Sequence, residues 1–262
     1  MANNLAILKN MSRQDDIKKR FEEVLKDQAP TFMASIINAT SANPTLQSCD
    51  AMTIWGAGMI AASLKLPVDP NLGFAYIIPY KDRDRGYIAQ FQMGYKGFVQ
   101  LGMRSGQYRR MNVSEVYSDE LDFHNPITGE IKFTDMKTWK FREEGKPVDV
   151  IGYYSMFELT NGYIREEYWP VTKINGHGKK YSQTYKKGFG RWVDDFDAMA
   201  KKTVLKTLLS KWGILSIEMQ KAIETDQAST TGDDIDYPDN KEEKIESALE
   251  KRLKEDETDG TK

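Results

Sequence analysis

Two apolar runs, "IGYYSMFEL" (151–159) and "GYIREEYWP" (162–170), meet at Thr160-Asn161-Gly162. Aromatic and β-branched runs of this length, closed by a tight turn containing Asn-Gly, fold back on themselves as an antiparallel hairpin. "GFAYIIPY" (73–80) and "YIAQFQM" (87–93), joined by the charged turn "KDRDRG", predict a second hairpin with a charged tip. An isolated two-stranded ribbon is marginal in water, so each needs other elements packed against one face.

The flanking sequence supplies helices. Residues 12–38 place Ile17, Phe21, Val24 and Leu25 at helical spacing, with Ser12 and Asp15 in the arrangement of a capping box and Pro30 set to end or restart the helix. A second helix is expected from about Met52 to Leu64. "GYKGFVQLGMRSG" predicts a short helix and "QYRRMNVSEVYS" a strand, while 119–149 is weakly patterned, a loop with short strands. Helices resume near Val171. The longest should run from about Asp194 to Trp212, with Phe196, Ala200, Val204 and Leu208 on its core stripe. Lys202 and Lys206 lie one turn apart on another stripe and should face solvent. This order predicts an α+β fold, with mostly antiparallel β-sheet and hairpins packed with helices. The folded core is expected over 1–227 and a flexible acidic tail over 228–262. In that tail Ile245, Leu249 and Leu253 form a thin apolar stripe, either a solvated extension or a helix that docks a partner.

Net charge is only −2, which conceals a segregation. Residues 81–110 carry seven bases against two acids, and 172–212 carry ten against three; from Gly213 onward 15 acids face 7 bases. Local field, rather than total charge, attracts a polyanion. The N-terminus lacks a basic region followed by a long apolar run, and no stretch approaches the length of a membrane span, so a cytoplasmic location with no membrane partner is expected. A single cysteine, Cys49, excludes an internal disulfide and any zinc site built on cysteine pairs.

Catalytic constellations are absent from the pattern. His124 and His177 are far apart and read as solvated loop residues. "NGHGKKYS" (175–182) offers Gly178-Lys179 but has Lys180 where a P-loop needs Ser or Thr. No G-x-S-x-G elbow occurs, Cys49 lacks an evident base, and the pairs Glu166-Glu167 and Asp194-Asp195 are adjacent, so each pair points apart. No metal and no cofactor are expected. A magnesium-dependent nuclease using acids of the unpatterned 114–167 region is the alternative.

The stretch "AQFQMGYKGFVQLGMRSGQYRR" (89–110) has the ingredients for single-stranded nucleic acid: cations for phosphates, flat rings for bases and glycines that permit close backbone approach. Phe91, Phe98, Val99 and Leu101 read equally as core. The candidate DNA-binding residues are Lys81, Arg83, Arg85, Gln92, Tyr95, Lys96, Arg104, Arg109 and Arg110 in the first block. In the second they are Lys186, Lys187, Arg191, Lys201, Lys202, Thr203 and Lys206.

Four spaced segments, "RFEEVLKDQAPTFMASI", "PVDPNLGFAYIIPY", "AQFQMGYKGFVQLGMRSGQY" and "FDAMAKKTVLKTLLSKWGILS", resemble the RecT family of phage recombination proteins, over about residues 15–225. The resemblance implies an ATP-independent protein that binds single-stranded DNA and anneals complementary strands as a large oligomer beside a partner exonuclease. A host single-strand binding protein is a further expected partner, through the tail. Where the family usually has Arg-Lys-Thr after Ala-Met-Ala, this chain has Lys201-Lys202-Thr203, keeping the charge without arginine's bidentate fork.

Overall fold

The computed structural model describes residues 4–134, 149–231 and 234–236. Four helices open the chain: α1 (Asn4–Met11), α2 (Asp15–Leu25), α3 (Ala29–Ser41) and α4 (Ala51–Ser63). Pro30 sits in the first turn of α3, where its missing N–H costs nothing. The capping box does not form: Gln14 precedes α2 without a side-chain cap, and the Ser12 hydroxyl donates backward to the Lys9 carbonyl at 2.7 Å. α4 is capped properly, by the Asp50 carboxylate accepting from Met52 N at 2.7 Å. It is apolar all round and correspondingly central, burying Ile54, Trp55 and Ile60.

The first hairpin pairs β1 (Ala75–Asp82) with β2 (Gly86–Met93), from Ala75 opposite Met93 to Asp82 opposite Gly86. A short helix, α5 (Tyr95–Arg104), leads to β3 (Tyr108–Tyr117). The weakly patterned segment contains a small hairpin, β4 (Leu121–Asn125) with β5 (Glu130–Phe133). The expected hairpin of β6 (Val150–Leu159) and β7 (Ile164–Pro170) closes at Gly162, whose φ of 86° only glycine adopts readily. β3 joins its free edge, giving the antiparallel order β3-β6-β7. Among the described residues every strand pairing is antiparallel, distributed over four small sheets rather than one.

Helices α6 (Val171–Tyr181), α7 (Gln183–Lys186), α8 (Arg191–Asp194), α9 (Phe196–Trp212) and α10 (Ile217–Thr225) complete the cover. α9 is the spine shared by two cores. Leu205, Leu208 and Leu209 pack into the large core with Phe91, Phe98 and the N-terminal helices. Met199, Ala200 and Val204 pack into a smaller one with Tyr153, Trp169, Ile174 and Trp192. Because α9 is covered on two sides, even Lys202 and Thr203 on its polar side are buried.

Beyond α10 the chain runs along the open edge of β2. Gln227 N donates to Phe91 O and Phe91 N to Ala228 O, both at 2.9 Å, and the Ser229 hydroxyl reaches Ala89 O at 3.0 Å. Ala228 and Ser229 are buried, and β8 (Ser229–Thr231) then pairs with β9 (Asp234–Asp236). A core ending at residue 227 would cut this strap, so the break in composition at Ala228 precedes the end of the packed structure. The Ile245, Leu249 and Leu253 stripe lies outside the described residues.

Candidate nucleic-acid interface

The open end of the β1–β2 hairpin, the start of α5, helices α6 and α8 and the polar side of α9 surround one cleft. Its wider part, about 230 Å³, is bordered by His177, Tyr181, Trp192, Lys206, Thr207 and Ser210. A narrower part, about 30 Å³, lies between Tyr76, Gln92, Tyr95 and Arg191. Met199 and Lys202 line both parts, which joins them along α9.

The floor is an ion triad. Asp226 Oδ1 accepts from Lys202 Nζ at 2.8 Å and from Met93 N at 3.0 Å, and Oδ2 accepts from Lys206 Nζ at 2.9 Å. Burial would raise the Asp226 pKa, but the two lysines outweigh it and hold the carboxyl below its ordinary value. Burial lowers the pKa of Lys202, Asp226 opposes this and Lys206 adds to it. Two ammoniums on one carboxylate leave the floor net positive.

Cations also cover aromatic faces around the cleft. Arg191 lies 4.8 Å above the Tyr76 ring, Lys180 5.1 Å from Tyr181, Lys173 3.9 Å from Trp169 and Lys201 5.1 Å from Tyr95. Farther along, Arg165 is 4.2 Å from Trp212. Flat rings beside cations are what a single strand needs from a protein surface.

The structure sorts the predicted residues. Gln92, Tyr95, Arg191, Lys202, Thr203 and Lys206 come together at the cleft. Lys202 is not the solvent-facing cation that its spacing suggests: it is 5% exposed, because α9 packs on both sides and Asp226 takes its ammonium. The Thr203 hydroxyl donates to Met199 O, and Gln92 Nε2 approaches Met199 Sδ at 3.7 Å. Lys201 is tied to Glu115 at 2.7 Å at the margin.

The first basic block disperses. Lys81, Arg83 and Arg85 ride the exposed tip of the β1–β2 hairpin, with Arg85 3.8 Å from Asp82. Arg104 also has a structural task, donating to Leu64 O and Lys65 O at 2.9 and 2.8 Å and so closing the C-terminal end of α4. Arg109 and Arg110 both reach Glu158 on β6, at 3.1 and 3.5 Å. Lys96, Lys186 and Lys187 are exposed.

The glycines of the 89–110 stretch serve the fold. A Cβ on Gly94 would stand 2.1 Å from Gly73 O, and one on Gly97 2.3 Å from Phe74 O, so they let α5 press on the chain entering β1. Phe91, Phe98 and Leu101 are core; of that stretch's aromatics, Tyr95 lines the cleft.

Neither histidine is a solvated loop residue. His124 stands on β4 with its ring 5.0 Å from Tyr168, and His177 is half-buried on α6 among aromatic rings. Cys49 is buried, and burial pushes its thiol up to about 12, which leaves it a poor nucleophile at neutral pH. Among the described residues no group of three His, Cys, Asp or Glu side chains is placed to hold a metal ion, and no helix is long and apolar enough to cross a membrane.

The sequence reading missed Tyr76, His177, Tyr181, Trp192 and Asp226. A usable signal was present on α9, where Lys202, Thr203, Lys206, Thr207 and Ser210 recur at helical spacing as one polar stripe. Its partners come from distant segments.

A family model for the RecT family matches residues 30–245, which include the whole cleft. The chain belongs to the RecT family. It is 46% identical over 218 residues to the uncharacterized protein YqaK of Bacillus subtilis strain 168, covering 83% of this chain and 71% of that one. It is 28% identical over 194 residues to Protein RecT of Escherichia coli K12, covering 70% and 66% respectively. The family's work is single-strand annealing in recombination, and membership makes this chain a DNA-binding recombination protein.

Proposed function

We propose that the cleft along α9 holds one DNA strand by its phosphates and leaves its bases available to a complementary strand, so that annealing needs no ATP and no covalent step. The observation that carries this reading is the Lys202–Asp226–Lys206 floor, net positive and flanked by Tyr76, Tyr95, Tyr181 and Trp192. Lys206 and Arg191 contact phosphates directly, Lys202 contributes field from beneath, and Lys96, Lys186 and Lys187 extend the positive surface. In this reading the chain works as a homo-oligomer, since one cleft covers only a short run of nucleotides. It serves phage recombination with a partner exonuclease. Its C-terminal tail offers a docking contact for that enzyme or for a host single-strand binding protein. A deletion that tests the tail should begin after Asp236, sparing the buried Ala228 and Ser229.

The test is a gel assay of complementary oligonucleotides with and without ATP and magnesium. Duplex should form in every case; a requirement for ATP, or shortened strands in magnesium, would overturn the proposal in favour of an ATP-driven or nuclease mechanism. Affinity for single strands should also fall steeply with salt, because each phosphate neutralised releases counterions. A filter-binding series with no slope in log Kd against log salt would remove the electrostatic basis.

A further inference from the structure

His177 is unused by the reading above, although it borders the wider part of the cleft together with Lys206, Thr207 and Ser210. Its ring is fixed by packing, 4.6 Å from Tyr181, 5.6 Å from Trp169 and 6.4 Å from Trp192. The imidazole is thus held by ring contacts at a positively charged, hydroxyl-bearing wall of the cleft.

The charges facing it come from every element packed around it. On α6 itself stand Lys173 and Lys180, and α9 contributes Lys206. Tyr181 adds a phenol, and Lys202 lies below. Acids oppose them: Asp226 is committed to Lys202 and Lys206, Glu167 on β7 accepts from the Trp169 indole at 2.7 Å, and Asp195 at the end of α8 lines the narrower part of the cleft, where Arg191 of the same helix stands beside it. Cations therefore exceed acids, and an anion is the complementary occupant. Burial first, and then Lys206, Lys180 and Lys173, hold the imidazole below its ordinary pKa in the DNA-free protein.

We infer that His177 is a proton-linked phosphate contact, taking up a proton as a strand enters the cleft and donating the charged N–H to a backbone phosphate held against Lys206. The inference rests on the single-strand reading and deepens it. Its sign follows from linkage. A phosphate beside the ring raises a pKa that burial and then the lysines had depressed, so the extra affinity is fully present at low pH and is lost as pH rises through the bound-state value.

The probe is a thymidine-only oligodeoxynucleotide, whose bases do not titrate near neutrality. Between about pH 7.5 and about pH 5.5 the wild type should bind about tenfold more tightly, the equivalent of one pKa unit. Calorimetry near the midpoint, in two buffers of different ionisation heat, should show net proton uptake. H177N should lose the pH dependence and the uptake, whereas H177K, which keeps a charge at all these pH values, should bind tightly with a flat profile. Thermal unfolding of both variants separates misfolding from lost linkage, and proton uptake by the wild type needs no variant. The inference is overturned if wild-type binding takes up no proton, or if H177N keeps the wild-type slope. Competition by inorganic phosphate without proton uptake on the oligonucleotide would put a free anion, not a strand, in the cleft and also overturn it. Failure of the wild type to bind at any pH would remove the underlying reading with it.

Discussion

Replacing Asp226 with asparagine should cost about 3–5 kcal/mol of folding stability, the usual consequence of stranding buried charge. Asp226 is 6% exposed and joins three separate pieces of the fold: α9 through Lys202 and Lys206, β2 through Met93 N, and the C-terminal strap on which it sits. Asparagine retains an acceptor for Met93 N but leaves the buried Lys202 ammonium without a counter-charge. Lys202→Met should cost much less, since Asp226 keeps Lys206 and the backbone N–H, and the methionine stem fills the same space. The double substitution D226N/K202M should recover much of the loss, because Lys206, half-buried, can hydrate. Denaturant unfolding of the three variants gives the cycle. Additive losses would show that the carboxylate and Lys202 are not coupled. For the wild type, the Asp226 contribution is present above the ordinary aspartate value of about 3.9. It is lost as pH falls through the depressed folded value, so acid should release the strap.

A comparable loss, about 3 kcal/mol, is expected for Gly97→Ala, at the upper end of ordinary overpacking. The new methyl would meet Phe74 O at 2.3 Å and Met93 Cε at 2.8 Å. Methionine can move, but a carbonyl in the chain entering β1 cannot move without pulling the strand. Relief requires α5 to lift away, carrying Tyr95 from the cleft and Phe98 from the core. Single-strand affinity should therefore fall together with stability. Gly176 is the control. It lies inside α6, exposed, with nothing within 4 Å of a Cβ, so Gly176→Ala should stabilise by up to about 1 kcal/mol through helix propensity. Equal unfolding midpoints for G97A and wild type would show that α5 is not pressed on the 73–74 backbone.

Both predictions concern residues whose role the sequence did not display. The sequence did determine the hairpins, because alternating apolar runs closed by Asn-Gly or Asp-Arg-Gly turns leave a strand few other pairings. It also fixed the long helix α9 and its Ala200, Val204 and Leu208 face, because helical periodicity is a local property. The segregated charge and the four spaced family motifs were legible in the same way, and they pointed to DNA. What distance along the chain conceals is which residues share a surface. Arg104, expected to bind DNA, also closes α4, some 40 residues earlier in sequence, a contact its local pattern does not display. Lys202 looked solvent-facing because periodicity reports one core, whereas α9 serves two. Asp226 carried no role in the sequence and is the centre of the cleft floor. His177 looked like a loop residue until α6 packed it among Trp169, Tyr181 and Trp192. Local pattern sets the elements because backbone geometry repeats along the chain. The cleft is set by tertiary packing, since only the fold decides which charges are buried together and must therefore be paired.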